Sequence, residues 1–133
     1  MILTKICIKN FRNIEDLELS LNKNINGVVV LNYHFFYDET LESDRKDCNQ
    51  IICKSIQQFQ KEIDYIKNNN IFTVTTNELE MYIDGKINLP VKSVAITIDD
   101  GWFVARANNI LNNYQVMGTL FLIGYLAPVS DYA

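Results

Sequence analysis

The sequence predicts an α/β chain with parallel strands, on three observations. Short apolar runs of strand length alternate with amphipathic segments of helical period. The best-patterned run, Val94-Ala95-Ile96-Thr97-Ile98, ends in two adjacent carboxylates and a glycine, Asp99-Asp100-Gly101. A second buried run, Gly118-Thr119-Leu120-Phe121-Leu122-Ile123-Gly124, follows after a helical segment. Strand, helix, strand in that order implies parallel pairing, and such sheets carry their chemistry at the carboxyl ends of the strands.

The elements follow in chain order. Ile2 to Ile8, and then Leu17, Leu19 and Leu21, alternate apolar with polar residues, which predicts a β-hairpin turning near Arg12 to Asp16 and an N-terminal extension over residues 1–26. Val28 to Tyr33 is a strand. Phe36 to Gln50 is irregular and rich in charge, and is expected to be a loop at the rim of a site. Ser55 to Asn68 is a helix with Ile56, Phe59, Ile63 and Ile66 at three- and four-residue spacing, a pattern of core packing. The Asn68-Asn69-Asn70 run ends it. Ile71 to Val74 is a short strand, and Thr75 with Glu78 has capping-box spacing for a helix to about Ile83. Gly85 closes that helix. Between the two buried runs, Ala105 to Tyr114 is a helix with Ala107, Ile110, Leu111 and Tyr114 on one side.

With 133 residues, 48% of them hydrophobic and including seven Tyr and seven Phe, the chain has the material for one domain with an apolar core. A net charge of −4 argues against a nucleic-acid surface, which is basic. No window has the length or hydropathy of a membrane span, and the charged N-terminal segment lacks the continuous apolar core of a signal peptide. Cys48 and Cys53 are separated by four residues, which fits a small disulfide loop, half a metal site or two unrelated thiols. No second cysteine pair completes a zinc pattern.

The chemistry rests on Asp99 and Asp100. Consecutive strand residues point apart until the backbone turns, and Gly101 permits the turn that lets both carboxylates share a cavity. One is then available to bind a cation and the other to take a proton. By itself the triplet also fits a plain strand-ending turn.

The run Thr97-Ile98-Asp99-Asp100-Gly101 followed by Gly118-Thr119-Leu120-Phe121 resembles the NodB-homology polysaccharide deacetylases, with Ile98 in place of their commoner Phe. The resemblance extends upstream through Val29-Val30-Leu31-Asn32-Tyr33-His34, Phe59 to Asn70, Phe72-Thr73-Val74-Thr75 and Leu79 to Pro90. It is similar to the branch acting on poly-N-acetylglucosamine-type polymers. It implies a partial (β/α) barrel over residues 27–133 and an amino-sugar polysaccharide as substrate. It further implies Asp99 as general base and Asp100 as ligand to a divalent metal, zinc or nickel or cobalt. His34, Tyr33, Gly101 and Trp102 are expected to line the pocket. The family is extracellular or cell-surface, which favours the Cys48–Cys53 disulfide and leaves Cys7 a free thiol.

The family's metal site also uses two histidines, and a further histidine acts as general acid. His34 is the only histidine here. A catalytic zinc takes three protein ligands, so this chain is expected to bind metal weakly and to be inactive by itself. Closed barrels of this kind need roughly 200 residues or more, so a sheet edge is expected to stay open, for a partner or for self-association. The alternative is a non-catalytic sugar-binding or interaction remnant of the fold.

Within the first 26 residues, Ile8-Lys9-Asn10-Phe11-Arg12-Asn13 followed by Leu17-Glu18-Leu19 resembles the opening of RecF-type DNA-repair ATPases. The phosphate-binding loop of that family has no counterpart in this sequence, so ATP binding is not expected.

Overall fold

The first helix departs most from expectation. The computed structural model describes residues 6–9, 13–23, 27–47, 53–100 and 103–123. Strand β1 (Ile6–Lys9) is followed by helix α1 (Ile14–Lys23) and strand β2 (Val28–Tyr33), and β1 pairs with β2 in parallel. The expected N-terminal hairpin is therefore corrected to a strand, helix, strand unit. Leu17 and Leu21 stand one helical turn apart and are buried, while Leu19 points to solvent at 53% exposure. An alternation of three leucines fits a strand, but its outer pair fits a helix face equally well. Asn13 decides for the helix: its side-chain oxygen accepts from the Asp16 amide at 2.9 Å, capping the first turn. Glu15 and Asp16 in that turn and Lys23 in the last complement the helix dipole.

Strand β3 (Phe35–Tyr37) starts one residue after β2 ends and pairs in parallel with β4 (Cys53–Ser55) as a separate two-stranded sheet. Helix α2 (Glu42–Asp47) lies between them, so the stretch expected as irregular loop is partly ordered. Cys53 is disulfide-bonded. Cys48, the expected partner, lies outside the described residues, as do Gly101 and Trp102.

Helix α3 (Ile56–Asn68) begins where the Ser55 hydroxyl accepts from the Gln58 amide at 3.0 Å. It ends where Asn70 turns left-handed, φ 51°, and the Ile71 amide reaches back to the Ile66 carbonyl at 3.0 Å. Strand β5 (Phe72–Thr73) leads into helix α4 (Thr76–Ile83), which carries the expected capping box between Thr75 and Glu78. Gly85, at φ 71°, closes it. Strand β6 (Ser93–Asp100), helix α5 (Val104–Tyr114) and strand β7 (Thr119–Leu122) complete the described chain.

The main sheet is all parallel. Strand β6 is its centre, paired with β2 on one side, while β5 and β7 share its other side, β5 at the start and β7 at the acid end. The described strands form an open sheet and not a closed barrel. One core lies between the sheet and helices α1, α3 and α5, built from Leu17, Leu21, Val29, Leu31, Phe36, Phe59, Ile63, Ile66, Val94 and Ile96 among others. Burying a side chain of this size contributes about 1.5–3 kcal/mol. Because Leu17 and Leu21 belong to this core, the N-terminal unit packs with the rest of the sheet. The opposite face carries a smaller cluster, Val28, Val30, Val74 and Ala95. At Gly118, just before β7, a Cβ would sit 3.1 Å from Leu111 Cδ1, so glycine lets the chain pass close under α5.

Candidate functional site

Alternation along two adjacent strands builds the site. On β2 the residues facing the smaller cluster are Val28 and Val30, and Asn32 continues that series. On β6 they are Ser93 and Ala95, and then Thr97 and Asp99. Asn32 is in register with Thr97, so apolar residues give way to polar ones at the carboxyl ends of both strands together.

The Thr97 hydroxyl donates to Asn32 Oδ1 at 3.2 Å and lies 3.3 Å from the Leu31 carbonyl. Asn32 Nδ2 in turn donates to Asp99 Oδ2 at 3.3 Å. His34 Nε2 approaches the same oxygen at 3.4 Å, with side-chain exposures of 28% for His34 and 34% for Asp99. His34 Nδ1 is buried and has no hydrogen-bond partner among the described residues. Asn32 Nδ2 and His34 Nε2 thus approach the same oxygen of Asp99, and its other oxygen has no partner among the described residues. A carboxylate held this way is oriented yet open to solvent, as a proton acceptor must be.

Asp100 is half-buried, and its side chain forms no hydrogen bond or ion pair among the described residues. Its backbone takes the left-handed conformation, φ 70°. Phe103 is also left-handed, φ 53°, a conformation unfavourable for a bulky residue. The Phe103 ring packs edge-on to Phe35 at 5.2 Å and lies under the Arg106 guanidinium at 4.4 Å. Paired left-handed residues on either side of a strand-to-helix turn mark stored strain of the kind found at functional sites.

Arg106, on α5, also donates to the Phe36 carbonyl at 3.2 Å and pairs with Asp44. It joins the segment after β3 to the turn after β6. Asp38 accepts from the Thr40 hydroxyl at 2.6 Å, the Thr40 amide at 2.9 Å and Gln57 Nε2 at 2.8 Å. Those bonds, the Thr40 hydroxyl first, pull its carboxyl down to about 2. Asp44 is lowered too, chiefly by the Asp38 amide and then by Arg106. Nothing in the sequence pattern singled out Arg106.

Of the residues expected to line the pocket, His34 reaches Asp99. Tyr33 does not line the site, and this is a correction. As the neighbour of Asn32 and His34 it points to the opposite face, where it is 3% exposed in the helix-side core. There its hydroxyl donates to Glu62 Oε2 at 3.0 Å, and Lys54 Nζ lies 2.8 Å from Glu62 Oε1. Burial pushes the Glu62 carboxyl up, with the Lys54 charge opposing, and burial pushes the Tyr33 phenol well up. Asn32 was missed as a site residue. Its signal is the paired pattern Leu31-Asn32-Tyr33-His34 and Ile96-Thr97-Ile98-Asp99, apolar and polar in alternation on two strands.

Among the described residues no group of three or more His, Cys, Asp or Glu side chains is placed to hold a metal ion. His34, Asp99 and Asp100 are not grouped as a ligand set, whereas a catalytic zinc takes three converging protein ligands and keeps a further position open for water. Among the same residues no helix is long and apolar enough to cross a membrane.

No protein-family model matches the sequence, and no curated protein does. The RecF-type resemblance of the first residues finds no support. Solved structures do match. IcaB from Ammonifex degensii is 28% identical, with a TM-score of 0.63 over 77% of this chain and 41% of its own. The Streptococcus pyogenes deacetylase PplD, in complex with acetate, is 20% identical, with a TM-score of 0.65 over 78% of this chain and 46% of its own. A polysaccharide deacetylase from Bacillus cereus is 23% identical, with a TM-score of 0.60 over 77% of this chain and 31% of its own. The chain thus has the α/β fold of these structures and spans less than half the length of each.

Proposed function

We propose that this chain carries the base-bearing part of a polysaccharide de-N-acetylase site, directed at N-acetyl groups of amino-sugar polymers. The observation that supports it most is Asp99 at the carboxyl end of the central parallel strand, oriented by Asn32 and His34 and still open to solvent. Asp99 accepts a proton in this reading. Asn32 and His34 beside Oδ2 fix its orientation and leave its second oxygen for that proton. In this reading Asp100 is an acidic ligand to a divalent cation, zinc or nickel or cobalt, with further ligands from outside the described residues. The 133 residues by themselves release no acetate.

Titration with N-acetylglucosamine oligomers, followed by NMR, tests the substrate class. Shifts confined to Asn32, His34, Thr97 and Asp99 without acetate release are the expected result. No perturbation of these residues by any oligomer would sink the reading. Calorimetry with zinc, nickel and cobalt is expected to show weak binding at most. Micromolar or tighter affinity, lost in Asp100→Ala, would overturn the incomplete site.

The lack of a three-ligand group among the described residues favours a second reading, a sugar-binding module without catalysis. It predicts oligomer binding that Asp100→Ala leaves unchanged in the presence of metal.

A further inference from the structure

Tyr33, Lys54 and Glu62 form a buried polar cluster that the proposed chemistry does not use. Side-chain exposure is 7% for Lys54 and 1% for Glu62. Glu62 projects from α3 and engages two strands at once. One oxygen receives the Tyr33 hydroxyl at the end of β2, and the other receives Lys54 from β4. Lys54 is in register with Phe36 at the middle of β3. Its ammonium also lies 5.9 Å from the centre of the Tyr33 ring.

His34 is the single residue between β2 and β3. The strand before it is fixed through Tyr33, and the strand after it through the Lys54–Phe36 pairing. Aromatic contacts brace the same junction: Tyr33 stacks on Phe36 at 5.7 Å, and both meet Phe59 at 4.9 Å. An isolated buried ion pair contributes little net stability against apolar residues of equal size. What such a network supplies when every member is satisfied is a unique local geometry.

We propose that Glu62 is a positioning residue: by holding Tyr33 and Lys54 together it fixes both strands that flank His34, and so sets the imidazole against Asp99. Its functional meaning rests on the reading of Asp99 as the base, while the geometric effect stands independently. Because His34 is the only histidine, its ring resonances report this geometry without ambiguity.

The test compares the His34 ring spectrum and the melting temperature of the 133-residue chain across four variants. Lys54→Met combined with Glu62→Leu replaces the ion pair by apolar bulk and should keep the fold. In it the His34 ring signals are expected to broaden and move toward their positions in the urea-unfolded chain. Tyr33→Phe should move them the same way by less, and Lys54→Arg, which keeps the pair, should leave them at the wild-type positions. A purely structural cluster changes the melting temperature and leaves the ring spectrum alone. An unchanged spectrum in the folded double variant would therefore overturn the proposal. Should the double variant not fold, an unchanged spectrum in Tyr33→Phe does the same. The fourth variant, Asp99→Asn, removes the carboxylate partner directly and must perturb the ring. If it does not, the His34–Asp99 contact is absent in solution and the proposal falls. The sugar titration above uses different signals and a different ligand, so its failure is distinguishable from failure here.

Discussion

Two polar clusters sit on opposite faces of one strand end, and they differ in how completely their groups are paired. On the helix side, Tyr33, Lys54 and Glu62 are buried, and each oxygen of Glu62 has its own donor. On the other side, Asn32, His34 and Asp99 are partly open beside the buried Thr97, Asn32 Nδ2 and His34 Nε2 approach the same carboxylate oxygen, and His34 Nδ1 has no partner among the described residues. Adjacent residues of β2 feed both. Strand alternation therefore lets one segment anchor a fold with Tyr33 while presenting Asn32 and His34 for chemistry. The cluster that is more completely paired should fix geometry, and the one left underpaired should carry reactivity.

Glu62→Leu gives the largest expected effect. It strands the Lys54 ammonium in the core, and removing one partner of a buried pair costs about 3–5 kcal/mol. Urea unfolding should show this loss, and adding Lys54→Met should recover most of it. No recovery would mean that Glu62 acts through packing and not through charge.

The next effect is one of pH. Burial holds the Glu62 carboxyl above its ordinary value of 4.5. Its contribution to stability is therefore fully present below pH 4.5 and is lost as pH rises through the folded-state value. Asp38 and Asp44 have the opposite sign, being lowered from 3.8, Asp38 to about 2, so their contribution is present above 3.8 and lost as pH falls. Urea midpoints should thus decline as pH rises above 4.5 in the wild type and stay flatter in Glu62→Gln. The acid-side loss should be common to both. Equal slopes in the two proteins would remove Glu62 from the account.

On the site face, Asp100→Gly relieves a left-handed non-glycine residue and should raise stability by up to about 1 kcal/mol. Loss of stability instead would show that the Asp100 carboxylate makes a contact in solution that outweighs its backbone strain. Asp99→Asn is the smallest, within about 0.5 kcal/mol by thermal melting. A large destabilisation there would erase the contrast between the faces.

Much of this was readable from residue order alone, for physical reasons. Helices α3, α4 and α5 announce themselves through Phe59, Ile63 and Ile66, through the Thr75–Glu78 box and through Ala107, Ile110 and Leu111, because apolar period and capping chemistry are local. Strand β6 does so through a largely apolar run ending in acids. Leu17, Leu19 and Leu21 misled because a three-residue alternation satisfies both periods, and the deciding Asn13 cap is a single side chain. Strand β3 is three residues long and exists by pairing with β4, a partner that no local pattern reveals. The Lys54–Glu62–Tyr33 cluster joins a strand, a helix and a second strand, so it has no spacing to detect. At the site, Asp99 and His34 stood out as residue types, whereas Asn32 acquires its role from its register with Thr97.

The forked edge of β6 has a further consequence for the acid turn. Past Ile98 the register with β2 ends, whereas Asp99 and Asp100 stand in register with Phe121 and Leu122 of β7. Those two residues are 51% and 47% exposed. One flank of the acid turn is therefore held by the least sheltered strand of the main sheet whose burial is described. The Asp100 amide lies on the same flank of β6 as the Val94 carbonyl that accepts from Val74 at the end of β5, so its exchange should follow the opening of β7, and whatever shields β7 also steadies the chemistry.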